Sequence, residues 1–132
     1  MNNHHKLAVA FVAALAVPVA LAGSASASGG GDDRVERSGS CSGSTDWKLK
    51  AKPDDGRLEV EGEIDSNRNG QTWNWVIRHN GAIAARGQAT TTAPSGSFEV
   101  ERRFANLAGV DTFVFRATNP ASGEVCRGVV RI

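Results

Sequence analysis

The sequence predicts a single all-β domain, an antiparallel sandwich, on three observations. From Trp47 onward the apolar residues recur with period two, the spacing of a half-buried strand. Clusters of Gly, Pro, Asn and Asp interrupt that pattern about every eight to twelve residues, the rhythm of an all-β domain. No stretch of the same region carries helical periodicity.

The strands follow in order. Trp47 to Lys52 sets Trp47, Leu49 and Ala51 against Lys48, Lys50 and Lys52, and Pro53-Asp54-Asp55-Gly56 turns the chain with residues suited to tight-turn positions. Arg57 to Asp65 alternates Leu58, Val60, Gly62 and Ile64 with Glu59, Glu61 and Glu63. Paired antiparallel, these two strands form a cross-strand Lys/Glu ladder. Thr72 to His79 carries Trp73, Trp75 and Ile77 on one side, and Asn80-Gly81 supplies a type I′ hairpin turn. The return strand, Ala82 to Ala89, is alanine-rich and reads as an edge. Ser97 to Phe104 groups Phe98, Val100 and Phe104, but Arg102 falls on the apolar side, which predicts a bulge or an edge there. Asp111 to Thr118 and Val125 to Ile132 complete about seven strands, the number of an immunoglobulin-like sandwich.

The segments ahead of the strands have other tasks. Residues 1–27 read as a signal peptide: Lys6 supplies charge, Leu7 to Leu21 is an apolar run, and Ala25-Ser26-Ala27 is a cleavage site, with Ala20-Leu21-Ala22 as the other. The run is shorter than the roughly 18–20 residues a transmembrane helix requires, so the expected product is secreted and extracellular, with no membrane contact after cleavage. Residues 28–40, rich in Gly, Ser and mixed charge, read as a flexible linker. The domain then spans residues 41–132. Outside the cell Cys41 and Cys126 are expected to form one disulfide, worth on the order of 4 kcal/mol for so long a loop.

Composition excludes several functions. The 132-residue chain has 15 basic and 14 acidic side chains, and loss of Lys6 with the leader leaves them equal, so net charge gives no argument for nucleic acid. With two cysteines in all, multi-cysteine zinc sites and iron–sulfur clusters are out of reach, and no cofactor is expected. His79 is the only histidine beyond the leader; without a nucleophile motif beside it the chain reads as no enzyme. Asp65-Ser66-Asn67-Arg68-Asn69-Gly70 matches the opening of a calcium loop, but its twelfth position is Val76 where the motif needs a bidentate glutamate. An Asx-rich loop accounts for the same residues.

Cys41-Ser42-Gly43, Trp47-Lys48-Leu49-Lys50, Pro53-Asp54-Asp55-Gly56, Asn67 to Trp73, Pro94 to Phe98 and Gly123-Glu124-Val125-Cys126 together resemble a group of small secreted actinobacterial proteins without assigned function. The resemblance spans the mature chain and implies export and one β-domain, with no activity to carry over. In size and architecture the chain is more distantly similar to the apoproteins of enediyne chromophores, which have a second disulfide it lacks.

The expected function is therefore a secreted, non-catalytic binding module for an extracellular protein, glycan or small molecule, working through loops or an edge strand. The exposed candidates are Asn67, Arg68 and Asn69, with His79 and Asn80 at the hairpin. The alternative is a small-molecule or carbohydrate-binding sandwich; Trp47, Trp73 and Trp75 fall on the faces that Leu49, Ala51 and Ile77 mark as core, which predicts buried rings, and Trp73, beside a loop, is the one to choose if any is exposed.

Overall fold

The computed structural model describes residues 33–132; the signal-peptide reading of residues 1–27 and the first part of the linker lie outside the described residues. Eight strands make two four-stranded sheets: β1 (Val35–Ser40), β2 (Asp46–Asp54), β3 (Arg57–Asp65), β4 (Thr72–His79), β5 (Ala82–Thr90), β6 (Ser97–Ala105), β7 (Thr112–Thr118) and β8 (Val125–Arg131). The first sheet has the order β1-β2-β3-β6 and the second β5-β4-β7-β8, with every pairing antiparallel. With β1 set aside, the division is that of an immunoglobulin-like sandwich, first, second and fifth strands facing a C-F-G sheet with an added edge.

The core lies between the sheets and follows the period-two pattern. Leu49, Ala51, Leu58, Val60 and Ile64 from the first sheet meet Trp73, Trp75, Ile77, Phe113 and Phe115 from the second, all buried. Each large side chain so buried contributes about 1.5–3 kcal/mol. Glycines make room for the rings. A Cβ on Gly62 would stand 2.8 Å from the Phe115 ring, and one on Gly128 would stand 2.4 Å from the ring of Trp47.

Two expectations need correction, and a third resolves to one of its two alternatives. Residues 35–40, expected within a flexible linker, are strand β1, with Val35 opposite Ala51 and Gly39 opposite Trp47. Gly39 signals flexibility in the sequence, yet here a Cβ would come within 3.0 Å of the Trp47 ring, so the missing side chain is a packing requirement. The first turn is also tighter than expected. Pro53 belongs to β2 opposite Leu58, past the end of the β1 pairing at Ala51, and Asp55-Gly56 alone turns the chain, at φ 53° and 77°, as in a type I′ hairpin. Arg102 lies in a regular ladder opposite Val60, so there is no bulge. Strand β6 is instead an edge, and the guanidinium of Arg102 sits 5.1 Å from the centroid of Trp75, a cation–π contact at the open side of the sandwich. The one register shift of the β4–β5 ladder falls between Ile77 and Arg78.

The two ends of the sandwich differ. One gathers Cys41–Thr45, Ser66–Gln71, Thr91–Gly96 and Asn119–Glu124, the connections β1–β2, β3–β4, β5–β6 and β7–β8. There Cys41 and Cys126 are joined by a disulfide, Cα atoms 4.3 Å apart, which ties the β1–β2 loop to β8 in the opposite sheet. The other end carries the Asp55-Gly56 and Asn80-Gly81 hairpins and the β6–β7 loop. Val35 enters there, and Ile132 leaves there, exchanging two backbone hydrogen bonds with Asp111.

Candidate binding surface

The expected site residues fall at opposite ends of the sandwich. Asn67, Arg68 and Asn69 are exposed at the disulfide end, and Asn80 is exposed at the hairpin end, separated by the length of β4, about 23 Å. They do not converge. Trp73, the ring to choose if any were exposed, is fully buried, and Trp75 is 3% exposed, as the inward face of β4 that both share with Ile77 requires. Trp47 is partly buried, its ring wedged between Gly39 and Gly128. The tryptophans are packing residues, and no sugar-stacking platform is built from Trp73.

The Asp65–Gly70 segment is closed on itself and on the neighbouring loop. Asp65 Oδ1 accepts a hydrogen bond from Asn67 N (3.1 Å), and Ser66 Oγ donates to the Arg68 carbonyl (3.1 Å). Thr91 Oγ1 donates to that same carbonyl (2.5 Å) and accepts from Gln71 N (2.9 Å). The Gln71 carbonyl, at the position where a calcium loop offers its backbone ligand, accepts from Thr91 N (2.8 Å). Gly96 is pressed so close to Arg68 that a Cβ would lie 2.2 Å from its nitrogen. This is an Asx loop docked on a second loop.

His79 is not the exposed hairpin residue the sequence suggests. Its ring stacks on Phe113 at 4.3 Å between centroids, and Nε2 lies 2.5 Å from Asp111 Oδ1, with side chains 10% and 1% exposed respectively. Asp111 Oδ1 also accepts from Leu107 N at 3.3 Å. A histidine–carboxylate pair is present, but no hydroxyl is among the hydrogen-bond partners of His79 in the described residues. The arrangement anchors the β6–β7 loop.

The outer faces of the sheets hold most of the charge. On the first sheet the expected ladder is present, with Lys48, Lys50 and Lys52 opposite Glu63, Glu61 and Glu59. Lys50 reaches Glu61 at 3.3 Å, and Lys52 reaches Glu59 at 3.9 Å. On the other side of β3 like charges meet, Glu61 opposite Glu101 and Glu63 opposite Glu99. Partial desolvation, a hydrogen bond with Glu61 and the charges of Glu61, Glu63 and Glu101 raise the Glu99 pKa above its ordinary value. Oxygens of Glu59, Glu61 and Glu101 come within 4.8 Å of one another. Lys50, Lys52 and Arg103, the last 3.8 Å from Glu59, already face this cluster.

The second sheet is different in kind. Its strands contain no Asp, Glu or Lys, and their charged groups are Arg78, Arg86, Arg116, Arg127 and Arg131, with His79 turned inward. All five arginines are exposed, and none makes an ion pair among the described residues. Arg116 stands directly opposite Arg127 and Arg78 opposite Val114, while Arg86 faces Val76. Arg78, Arg116 and Arg127 surround a depression of about 160 Å³ that Val76 and Val114 also line. Sequence reasoning missed this face although its signal was there: every strand of the sheet places arginine, and no acid, at outward positions. What the sequence did not contain was which strands lie side by side. Among the described residues no helix is long and apolar enough to cross a membrane. No protein family, curated protein or solved structure matches the chain.

Proposed function

We propose that this is a secreted, non-catalytic binding module that meets an anionic partner with the outer face of its second sheet. One observation carries the reading: five unpaired arginines share a face that has no carboxylate. Arg116 and Arg127 stand opposite each other across β7 and β8, a like-charge pairing that costs the sheet some stability. A bound anion would relieve that repulsion beyond what solvent and salt screen. The leader-type composition of residues 1–27 and the disulfide support an extracellular setting.

Retention on a sulfonate resin at neutral pH tests the face. A protein with balanced charges elutes early unless its cations are segregated; the expected result is retention that Arg116→Gln with Arg127→Gln abolishes and Lys48→Gln leaves in place. Equal losses from the two changes would remove the face from consideration. Export is tested separately, by finding the chain in the culture medium starting at Ser28 or Gly23 with no free thiol.

A further inference from the structure

We infer that the anion is a phosphate-bearing linear polymer, seated at the Arg78–Arg116–Arg127 depression and laid across the strands; this rests on the binding-face reading above. The first argument is the number of donors at one place. Arg78, Arg116 and Arg127 line the depression, and each guanidinium is a rigid planar fork of N–H donors, of which Arg78 Nη1 also reaches the Gly81 carbonyl at 3.5 Å. A carboxylate offers two oxygens in one plane, whereas a phosphate group offers oxygens on several sides of a tetrahedron. A sulfate ester has that shape too, but its oxygens are less basic and weaker acceptors.

The second argument is the choice of cation. Every lysine of the described residues lies on the first sheet, where Lys50 and Lys52 face carboxylates of the same chain. The second sheet uses arginine throughout. The first sheet pairs lysines, and Arg103, with carboxylates of the same chain; the second carries arginine alone, the side chain that binds phosphate bidentately, with no carboxylate partner among the described residues.

The third argument is extent. Arg86 lies two strands from Arg116, about 10 Å away across the sheet, and Arg131 lies four residues beyond Arg127 on β8, about 13 Å along it. One small anion reaches neither. A chain with repeated phosphates does, and half-buried Val76, Val114 and Val129 give its uncharged links an apolar bed. Ile83, 48% exposed and opposite Arg78, extends that bed toward the hairpin.

The test is titration of the disulfide-bonded protein with long-chain inorganic polyphosphate, and with polyglutamate and dextran sulfate of matched charge. Polyphosphate is expected to bind at least roughly tenfold tighter than the other two, with an affinity that falls as salt rises. Arg116→Lys with Arg127→Lys keeps the charge but removes the forks, and is expected to weaken polyphosphate roughly tenfold. Lys48→Gln, on the other sheet, should change nothing. Thermal unfolding of each variant checks that it folds; Arg116 and Arg127 are exposed, so their replacement by lysine is expected to leave stability unchanged. Equal affinity for the three polymers, or lysine variants that bind as the parent does, would overturn the phosphate assignment and leave the binding face standing. No binding to any polymer would overturn both, as would self-association that masks the face, read by light scattering.

Discussion

The two ends of the sandwich are held by different means. At the hairpin end the chain reverses through Asp55-Gly56 and Asn80-Gly81, whose positive φ angles close the turn without help, and the longer β6–β7 loop is tied by the buried His79–Asp111 pair. At the disulfide end the connections are longer; two of them close with backbone hydrogen bonds of their own, Gly96 N to Thr92 O and Gly123 N to Asn119 O, and side chains tie them to their neighbours. Glu124 reaches from the β7–β8 turn to accept from Gly43 N, Thr45 N and Thr45 Oγ1 at 2.8–2.9 Å. Ser66 and Thr91 stitch two more loops together, and the disulfide adds a covalent tie. Two positive-φ residues suffice to reverse a short hairpin, while the longer loops are also held by side chains that arrive from elsewhere in the chain.

Breaking the ties one at a time separates the ends. Cys41→Ser with Cys126→Ser is expected to lower stability by up to about 4 kcal/mol in urea unfolding. Amide exchange should quicken first at Cys41–Thr45 and Asn119–Val125, and last at Asn80 and Thr112; uniform quickening would mean the two ends open together. Asp111→Ala leaves His79 buried without its carboxylate and is expected to cost about 3 kcal/mol, with loosening confined to the β6–β7 loop. Glu124→Ala strands the loop amides of Gly43 and Thr45 and should cost about 2 kcal/mol, again with its exchange signature at the disulfide end. If Glu124→Ala matched the disulfide variant in effect, the side-chain ties rather than the covalent one would govern that end.

The smallest effect belongs to neither end and serves as a reference. The folded pKa of Glu99 lies above the ordinary 4.5, so between the two values the folded state holds a proton that the unfolded state has released. Stability therefore falls as pH rises through that window, and the penalty persists above it. Glu99→Gln should match the parent below about pH 4 and exceed it by a few tenths of a kcal/mol near neutrality. A melting series across that range would show no divergence if the like-charge register with Glu63 were harmless.

Much of the fold was legible because burial and strand period coincide. Leu49, Ile64, Trp75, Phe115 and Val130 are inside, where alternation puts them. Val35–Ser40 escaped because its inward positions hold one valine, one arginine and a glycine whose purpose is set by Trp47, a residue of the next strand. Trp73 is inside because its parity with Trp75 and Ile77 outweighs its proximity to a loop. The candidate face was half-readable: outward arginines are visible strand by strand, but a face exists only once β4, β7 and β8 lie side by side, and that adjacency comes from pairing across long stretches of chain.

The route of the chain ends has a mechanical consequence. Because Val35 enters and Ile132 leaves at the same end, tension applied to the two termini peels β1 and β8 lengthwise toward the opposite end until it meets Cys41 and Cys126. From there the load passes through the sulfur–sulfur bond, bypassing the 85-residue span between them. The oxidised domain would then extend by roughly 50 Å under force where the reduced one extends by roughly 350 Å. Six of the eight strands, and most of the arginine face with them, lie within the part that never feels the pull.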